Sequence, residues 1–317
     1  MIDVLLIVVG VALVLLGADK LTEGASALAR RMSVPEIIIG LTIVAAGTSA
    51  PELFVSLVSA LKGTPDMAVG NVVGSNTMNA MLIVGCAAMV APMVISRSTV
   101  RKDIPCSIAA SVLLILLAYD GALGIVDGLL LLLGFAAFMT YTLMQAKQGK
   151  AEGESAATAE TGAASKPLRP WLCVLYVVGG LAGLVIGSNL FVDSASNVAL
   201  SLGISEGVVG LTVVAGGTSL PELATSVVAA RKGQSAIAIG NVIGSNVFNI
   251  LMILGLTAVI TPLDIQGITA VDMAVMLVSV VLVWLFSRTR YTVERWEGAL
   301  LVGGYLAYLC WLISNLA

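Results

Sequence analysis

Residues 40–85 and 210–255 are two copies of one block. The first reads GLTIVAAGTSAPELFVSLVSALKGTPDMAVGNVVGSNTMNAMLIVG and the second GLTVVAGGTSLPELATSVVAARKGQSAIAIGNVIGSNVFNILMILG, at a constant offset of 170 with no gap. Weaker likeness extends upstream, where Gly17 aligns with Gly187, Glu23 with Asp193 and Ser26 with Ser196. Two halves built alike must pack on each other, so any centre formed by the block is formed twice and meets itself at the interface between the halves.

The solvent for this fold follows from composition. Of 317 residues, 58% are hydrophobic and 11% charged, with a mean hydropathy of +1.04. A soluble domain covers its surface with about a quarter charged residues, so the outside of this chain must face lipid. A spanning helix needs about 20 mostly apolar residues. Ten segments qualify: 2–19, 34–61, 67–95, 104–119, 123–145, 171–192, 204–230, 236–262, 267–286 and 296–316. The first resembles a signal-peptide core but lacks a basic start and a clear cleavage site, and is read as a retained helix. Residues 146–169 are polar and rich in small residues, without periodicity, and read as a flexible exposed linker.

Lys and Arg fall unevenly between the loops. Fifteen of the sixteen lie on one side of this ten-span map, and Lys62 stands alone on the other. The positive-inside rule then makes the linker cytoplasmic and puts both termini outside. Each half has five spans, an odd number, so the halves must lie upside down relative to each other. The expected fold is all-α and integral to a membrane, with broken helices at a central site. Residues 1–145 form one five-helix repeat, 146–169 the linker and 170–317 the second repeat. Inverted repeats of this kind carry a transport site near the midplane where they meet.

The duplicated block carries the chemistry. Glu52 lies deep in the second apolar segment, where a carboxylate costs several kcal/mol without compensation. No Lys or Arg lies near mid-membrane to pair with it, and Glu222 repeats the problem. Ala45, Thr48, Ser49 and Glu52 recur at helical spacing and line one face. Pro51 and Gly47 should break the helix and turn carbonyls inward, which is tolerated at this depth only beside a cavity or packed protein. Ala215, Thr218, Ser219, Pro221 and Glu222 repeat the pattern. Asn71, Ser75 and Asn79, with Asn241, Ser245 and Asn249, add neutral oxygen donors. Two carboxylates among hydroxyl, amide and carbonyl oxygens suit a hard cation such as Ca2+ or Na+. Their two charges match one divalent or two monovalent ions, which is a physical basis for exchange.

Other features read as structural. Gly70–Gly74 and Gly240–Gly244 have the spacing of helix packing, and Asn71 and Asn241 fit interhelical glue as well as a ligand role. Glu36 and Glu206 sit at helix starts, where a negative charge is favourable. Asp3, Asp120, Asp127, Asp264 and Asp272 fall at loops or ends and read as solvated. The four cysteines have no CxxC spacing, which disfavours a disulfide framework or a zinc site. There is no His, and the net charge of −3 argues against a nucleic-acid partner.

GTSxPE followed by GNxxGSNxxN, present twice in ten spans, closely resembles the alpha repeats of the calcium/cation antiporter superfamily, especially its prokaryotic sodium/calcium exchangers. The resemblance implies alternating access, four adjacent cation positions, and no catalytic residues or resident cofactor. It implies as ligands Ala45 through its carbonyl, Thr48, Ser49, Glu52, Ser75 and Asn79, with Ala215 through its carbonyl, Thr218, Ser219, Glu222, Ser245 and Asn249. The glutamates would be shared by Ca2+ and Na+. Some members carry Asp where this chain has Asn249, and its absence disfavours potassium co-transport.

The expected function is therefore Na+/Ca2+ antiport in a prokaryotic inner membrane. A H+/Ca2+ antiporter using the same glutamates is the alternative. A cation channel is a third class, and would show no counterion dependence. An enzyme would need a nucleophile–base pair or an open metal position, and the motifs offer only Ser and Glu on one broken helix.

Overall fold

The computed structural model describes residues 2–156, 169–202 and 215–316. The described chain is almost wholly helical. Seven spans run in long helices: α1 (Ile2–Met32), α4 (Pro65–Val90), α5 (Thr99–Asp120), α6 (Ile125–Ala156), α7 (Pro170–Ser201), α10 (Ser235–Ile260) and α11 (Ala270–Arg288). An eighth, α12 (Arg295–Leu316), closes the chain. The ninth span is broken into α2 (Glu36–Thr48) and α3 (Ala50–Leu61), bent by 45°. Its counterpart is described as α8 (Ala215–Thr218) and α9 (Leu220–Arg231). The start of the expected segment 204–230, with Glu206, lies outside the described residues.

Two short antiparallel ladders fix the relation of the halves. β1 (Met93–Val94) follows α4 and pairs with β4 (Thr292–Val293), between α11 and α12. β2 (Ala122–Leu123), between α5 and α6, pairs with β3 (Leu263–Asp264), which follows α10. Within one half these two loops are separated by one span and so lie on opposite faces. Each nevertheless pairs with the non-equivalent loop of the other half, so the halves are inverted. The β1–β4 end gathers Arg97, Arg101, Lys102, Arg288, Arg290 and Arg295, whereas acidic Asp120 and Asp264 flank the β2–β3 end.

The first helices of the two halves form a closely packed antiparallel seam. Gly10 meets Gly187, Gly17 meets Gly180, and Gly24 meets Cys173 and Tyr176. A Cβ on Gly17 would stand 2.8 Å from the Gly180 carbonyl oxygen, and one on Gly180 2.6 Å from Leu21 N. Lipid gives helices no hydrophobic reason to associate, so close backbone approach at small residues supplies the attraction. Gly240 and Gly244 do the same against α2, where an added Cβ would come within 2.9 Å of Ile37 O and 2.8 Å of Leu41 O.

Three expectations need correction. α1 and α7 continue well past 19 and 192, to Met32 and Ser201. The polar stretch of α1 stays helical because its charges find partners: Lys20 pairs with Glu23 at 3.0 Å, and Lys232 bridges Asp19 at 2.7 Å and Thr22 at 3.0 Å. α6 runs into the expected linker as far as Ala156, through Ala-, Lys-, Gln- and Glu-rich sequence with good helix propensity. The linker residues 157–168 lie outside the described residues. Asp272 is not solvated: it is buried, closes a capping box with Thr269, and accepts a 2.6 Å hydrogen bond from Tyr308.

Adjacent glycines on α7 test the seam. Gly180→Ala should lower stability by about 1–3 kcal/mol, as overpacking does. Gly179→Ala should be neutral or slightly stabilising, because no atom among the described residues lies within 4 Å of its added Cβ. Thermal unfolding of both variants in detergent, followed by tryptophan fluorescence, makes the comparison.

Candidate functional site

Both helix breaks are centred on a serine. Ser49 has φ −83° and ψ 8°, and Ser219 φ −90° and ψ 6°. Pro51 and Pro221 follow, in the first turns of α3 and α9. Proline has no N–H to continue the ladder of the preceding helix but fits the start of a new one. Glu52 and Glu222 therefore stand in the first turn of a half-helix, whose N-terminal dipole favours negative charge. The glutamates are 1% and 0% exposed. None of the ion pairs among the described residues involves either one.

The halves reach across to each other's carboxylate. Ser49 Oγ donates to Glu222 Oε1 at 2.9 Å, and Ser219 Oγ donates to Glu52 Oε1 at 3.1 Å. Ser219 Oγ also lies 3.2 Å from Ser75 Oγ. Thr48 Oγ1 donates to Asn241 Oδ1 at 3.0 Å and approaches Ala45 O at 3.3 Å. Thr218 lies beside Glu52, and Thr48 and Ser245 lie beside Glu222. Ala215 opens the short helix α8. The structure thus brings Thr48, Ser49, Glu52 and Ser75 of one half together with Thr218, Ser219, Glu222, Asn241 and Ser245 of the other.

Asn71 and Asn241 tie each half-helix to the next span. Asn71 Nδ2 donates to Glu52 O at 3.3 Å and Ser56 Oγ at 2.9 Å, and Asn241 Nδ2 donates to Glu222 O at 3.3 Å and Ser226 Oγ at 3.0 Å. With their amides so engaged, they act as glue that holds the glutamates in place.

Sequence reasoning missed Asn76 and Asn246. Asn79 Nδ2 donates to Asn246 Oδ1 at 3.0 Å, and Asn249 Nδ2 to Asn76 Oδ1 at 3.1 Å. Asn76 Nδ2 in turn reaches Asn246 O at 3.2 Å. This clasp between the halves turns the Asn79 and Asn249 amide oxygens away from it. Both spans switch to π-helix here, at Asn79–Ile83 and Phe248–Leu254, a distortion common at functional sites. The available signal was the 170-residue offset, which duplicates Asn76 as Asn246 and Ser56 as Ser226.

Of the eleven buried side-chain oxygens without a hydrogen-bond partner among the described residues, five belong to this centre: Glu52 Oε2, Glu222 Oε2, Asn79 Oδ1, Asn249 Oδ1 and Ser245 Oγ. Buried polar atoms are rarely left so. All five belong to the duplicated motif, and all can donate lone pairs to a hard cation. A cavity of about 320 Å³ reaches the centre from one side, lined by Pro51 and Phe54 of α3, Ser188, Asn189 and Asp193 of α7, and Thr218.

An inverted pair of repeats, each with a helix broken at a buried polar centre, defines a membrane transporter with its site between the repeats. The chain belongs to the sodium/calcium exchanger protein family, whose model matches residues 2–144 and 172–314, two stretches again 170 residues apart. It is 39% identical over 311 residues to the inner membrane protein YrbG of Escherichia coli K12, covering 97% of this chain and 95% of that one. It is 33% identical to the sodium/calcium exchanger MaX1 of Methanosarcina acetivorans, covering 97% of each. The fold superposes on the sodium-calcium exchanger NCX_Mj, soaked with Na+ and Ca2+, with a TM-score of 0.85 at 29% identity over 98% of both chains.

The clasp predicts a stability effect. Asn246→Ala strips Asn79 Nδ2 of its acceptor and should cost about 1–3 kcal/mol, the penalty for one unsatisfied buried donor. A thermal midpoint in detergent equal to wild type would show that Asn79 does not depend on the clasp.

Proposed function

We propose that the chain exchanges Ca2+ for Na+ across the membrane by alternating access, with Glu52 and Glu222 as ligands shared by both ions. The observation that carries this reading is the convergence of unpartnered buried oxygens from both repeats around two carboxylates. A carboxylate pair in a low-dielectric centre repels itself, and one divalent or two monovalent cations relieve the repulsion equally well. Without cargo the site is costly to carry through the closed state, so movement is coupled to binding. The remaining ligands are Thr48, Ser49, Ser75, Asn79, Thr218, Ser219, Ser245 and Asn249, with the carbonyls of Ala45 and Ala215.

Alternating access is supported by a difference between the halves. The cavity beside Pro51 and Thr218 separates α7 from α3. At the position related by the offset, α1 packs along α9, and Lys232 pins it there through Asp19 and Thr22. One approach is open and its twin is shut. The basic β1–β4 end supports a cytoplasmic placement of that face and of residues 146–169, with both termini outside.

The test is radioactive Ca2+ uptake into proteoliposomes loaded with Na+, with any proton gradient collapsed by an ionophore. Uptake should require internal Na+. Glu52→Gln and Glu222→Gln should each reduce it to the level of empty liposomes. Uptake that follows an imposed proton gradient and ignores Na+ would make the glutamates proton carriers. Full flux in Glu52→Gln would sink the ligand assignment.

A further inference from the structure

At the β1–β4 end, between the first turn of α5 and the last turn of α11, lies a second cavity of about 330 Å³. It is lined by Val100, Arg101, Pro105, Trp284, Arg288 and Tyr291. We propose that it holds the phosphate headgroup of an anionic phospholipid.

Its cations are held ready and unneutralised. Arg288 Cζ lies 4.7 Å from the centre of the Trp284 ring, one helical turn back, and Arg97 Cζ lies 5.2 Å from the Tyr291 ring. Stacking leaves the edges of a guanidinium free for a bidentate acceptor. Among the described residues, neither arginine nor Arg101 has a carboxylate partner within ion-pair distance. Of the nearby acidic groups described, none pairs with these arginines. Glu297 is buried and accepts from Glu294 N and Thr289 Oγ1, whereas Asp103 is buried on α5 with its Oδ1 without a hydrogen-bond partner among the described residues.

The walls are fixed. Trp284 Nε1 donates to Val100 O at 2.9 Å and locks the end of α11 to the start of α5, which sets Arg288 beside Arg101. Arg290 and Tyr291 hold φ of 60° and 55°, a backbone state uncommon outside glycine, in the turn that brings Tyr291 to the cavity. Both arginines stand at the ends of spanning helices, at headgroup depth, and Leu285 and Trp296 nearby are exposed where acyl chains would run. Basic pockets between spans at this depth suit phospholipid headgroups.

The cavity also breaks the internal symmetry. The offset maps Arg101 to Val271, Arg288 to Ala118, Trp284 to Leu114 and Tyr291 to Gly121. The equivalent positions on the other face therefore carry neither an arginine nor an aromatic ring. The fold does not require these residues, and a function confined to one leaflet explains them.

Native mass spectrometry of the detergent-purified protein tests this without any transport measurement. Given equal phosphatidylglycerol and phosphatidylcholine, wild type should retain one phosphatidylglycerol preferentially. Arg101→Gln/Arg288→Gln should retain about tenfold less. Arg30→Gln/Arg31→Gln, which removes two exposed charges from the same face outside the cavity, should retain as much as wild type. Arg288→Lys, which keeps the charge but not the planar fork, should fall between, and serves if the double variant does not fold. Equal retention by wild type and the double variant, or equal loss in the Arg30/Arg31 control, overturns the proposal. Displacement of the lipid by excess inorganic phosphate overturns it too, in favour of a soluble anion.

Discussion

Two glutamates are buried in the middle of a membrane protein with no basic side chain paired to them among the described residues, and the rest of the architecture answers to that fact. Each takes part of its compensation from the start of a half-helix and part from a serine of the opposite repeat. Neither source neutralises a full charge. Ser49 is needed by Glu222 and Ser219 by Glu52, so neither half makes a complete site alone. The crossing of the two breaks is therefore as much a condition of folding as of function.

That condition explains the polar investment around the centre. Asn71 and Asn241 fix the backbone carbonyls of the glutamates themselves, and Asn76 and Asn246 join the repeats. Amide–amide bonds in a dry interior are directional and leave partners stranded if the register slips. Seams of glycine do the complementary work at the periphery. They let α1 and α7, and α2 and α10, approach to backbone contact without any polar cost. A polar clasp at the centre and apolar seams outside it give a rigid core with smoother outer surfaces.

Much of this was legible in the sequence because it was written twice. The constant offset identified the halves, the odd number of spans required their inversion, and Glu, Ser and Pro recurring in apolar runs marked the centre. The ladders, Met93–Val94 with Thr292–Val293 and Ala122–Leu123 with Leu263–Asp264, bear out the inversion. What was not legible depends on which face of one helix meets another. Asn76 looked like any polar residue of its motif, because its partner Asn246 is fixed only once the repeats cross. The full length of α1 was hidden because Asp19, Lys20 and Glu23 read as an end, and their partner Lys232 is remote in sequence. Asp272 looked solvated because Tyr308, which covers it, belongs to a different span.

An internal repeat also constrains energetics. If the halves were identical, exchanging their conformations would give a second state of equal energy facing the opposite side, and exchange would be reversible by construction. The balance is tipped only by residues that break the offset. Near the centre the clearest is the contact of Lys232 with Asp19, because the offset keeps a lysine, at Lys62, but replaces the aspartate by Asn189. Under the alternating access proposed above, the state with α1 shut against α9 has an ion pair that its mirror state would lack. The pair is partly exposed, with side chains 29% and 42% accessible, and such pairs contribute about 0–1 kcal/mol. A bias of that size favours one facing state without trapping it. A transporter driven in either direction by ion gradients would need the same limit, so the likeness of the two repeats and the weakness of this exception serve one end.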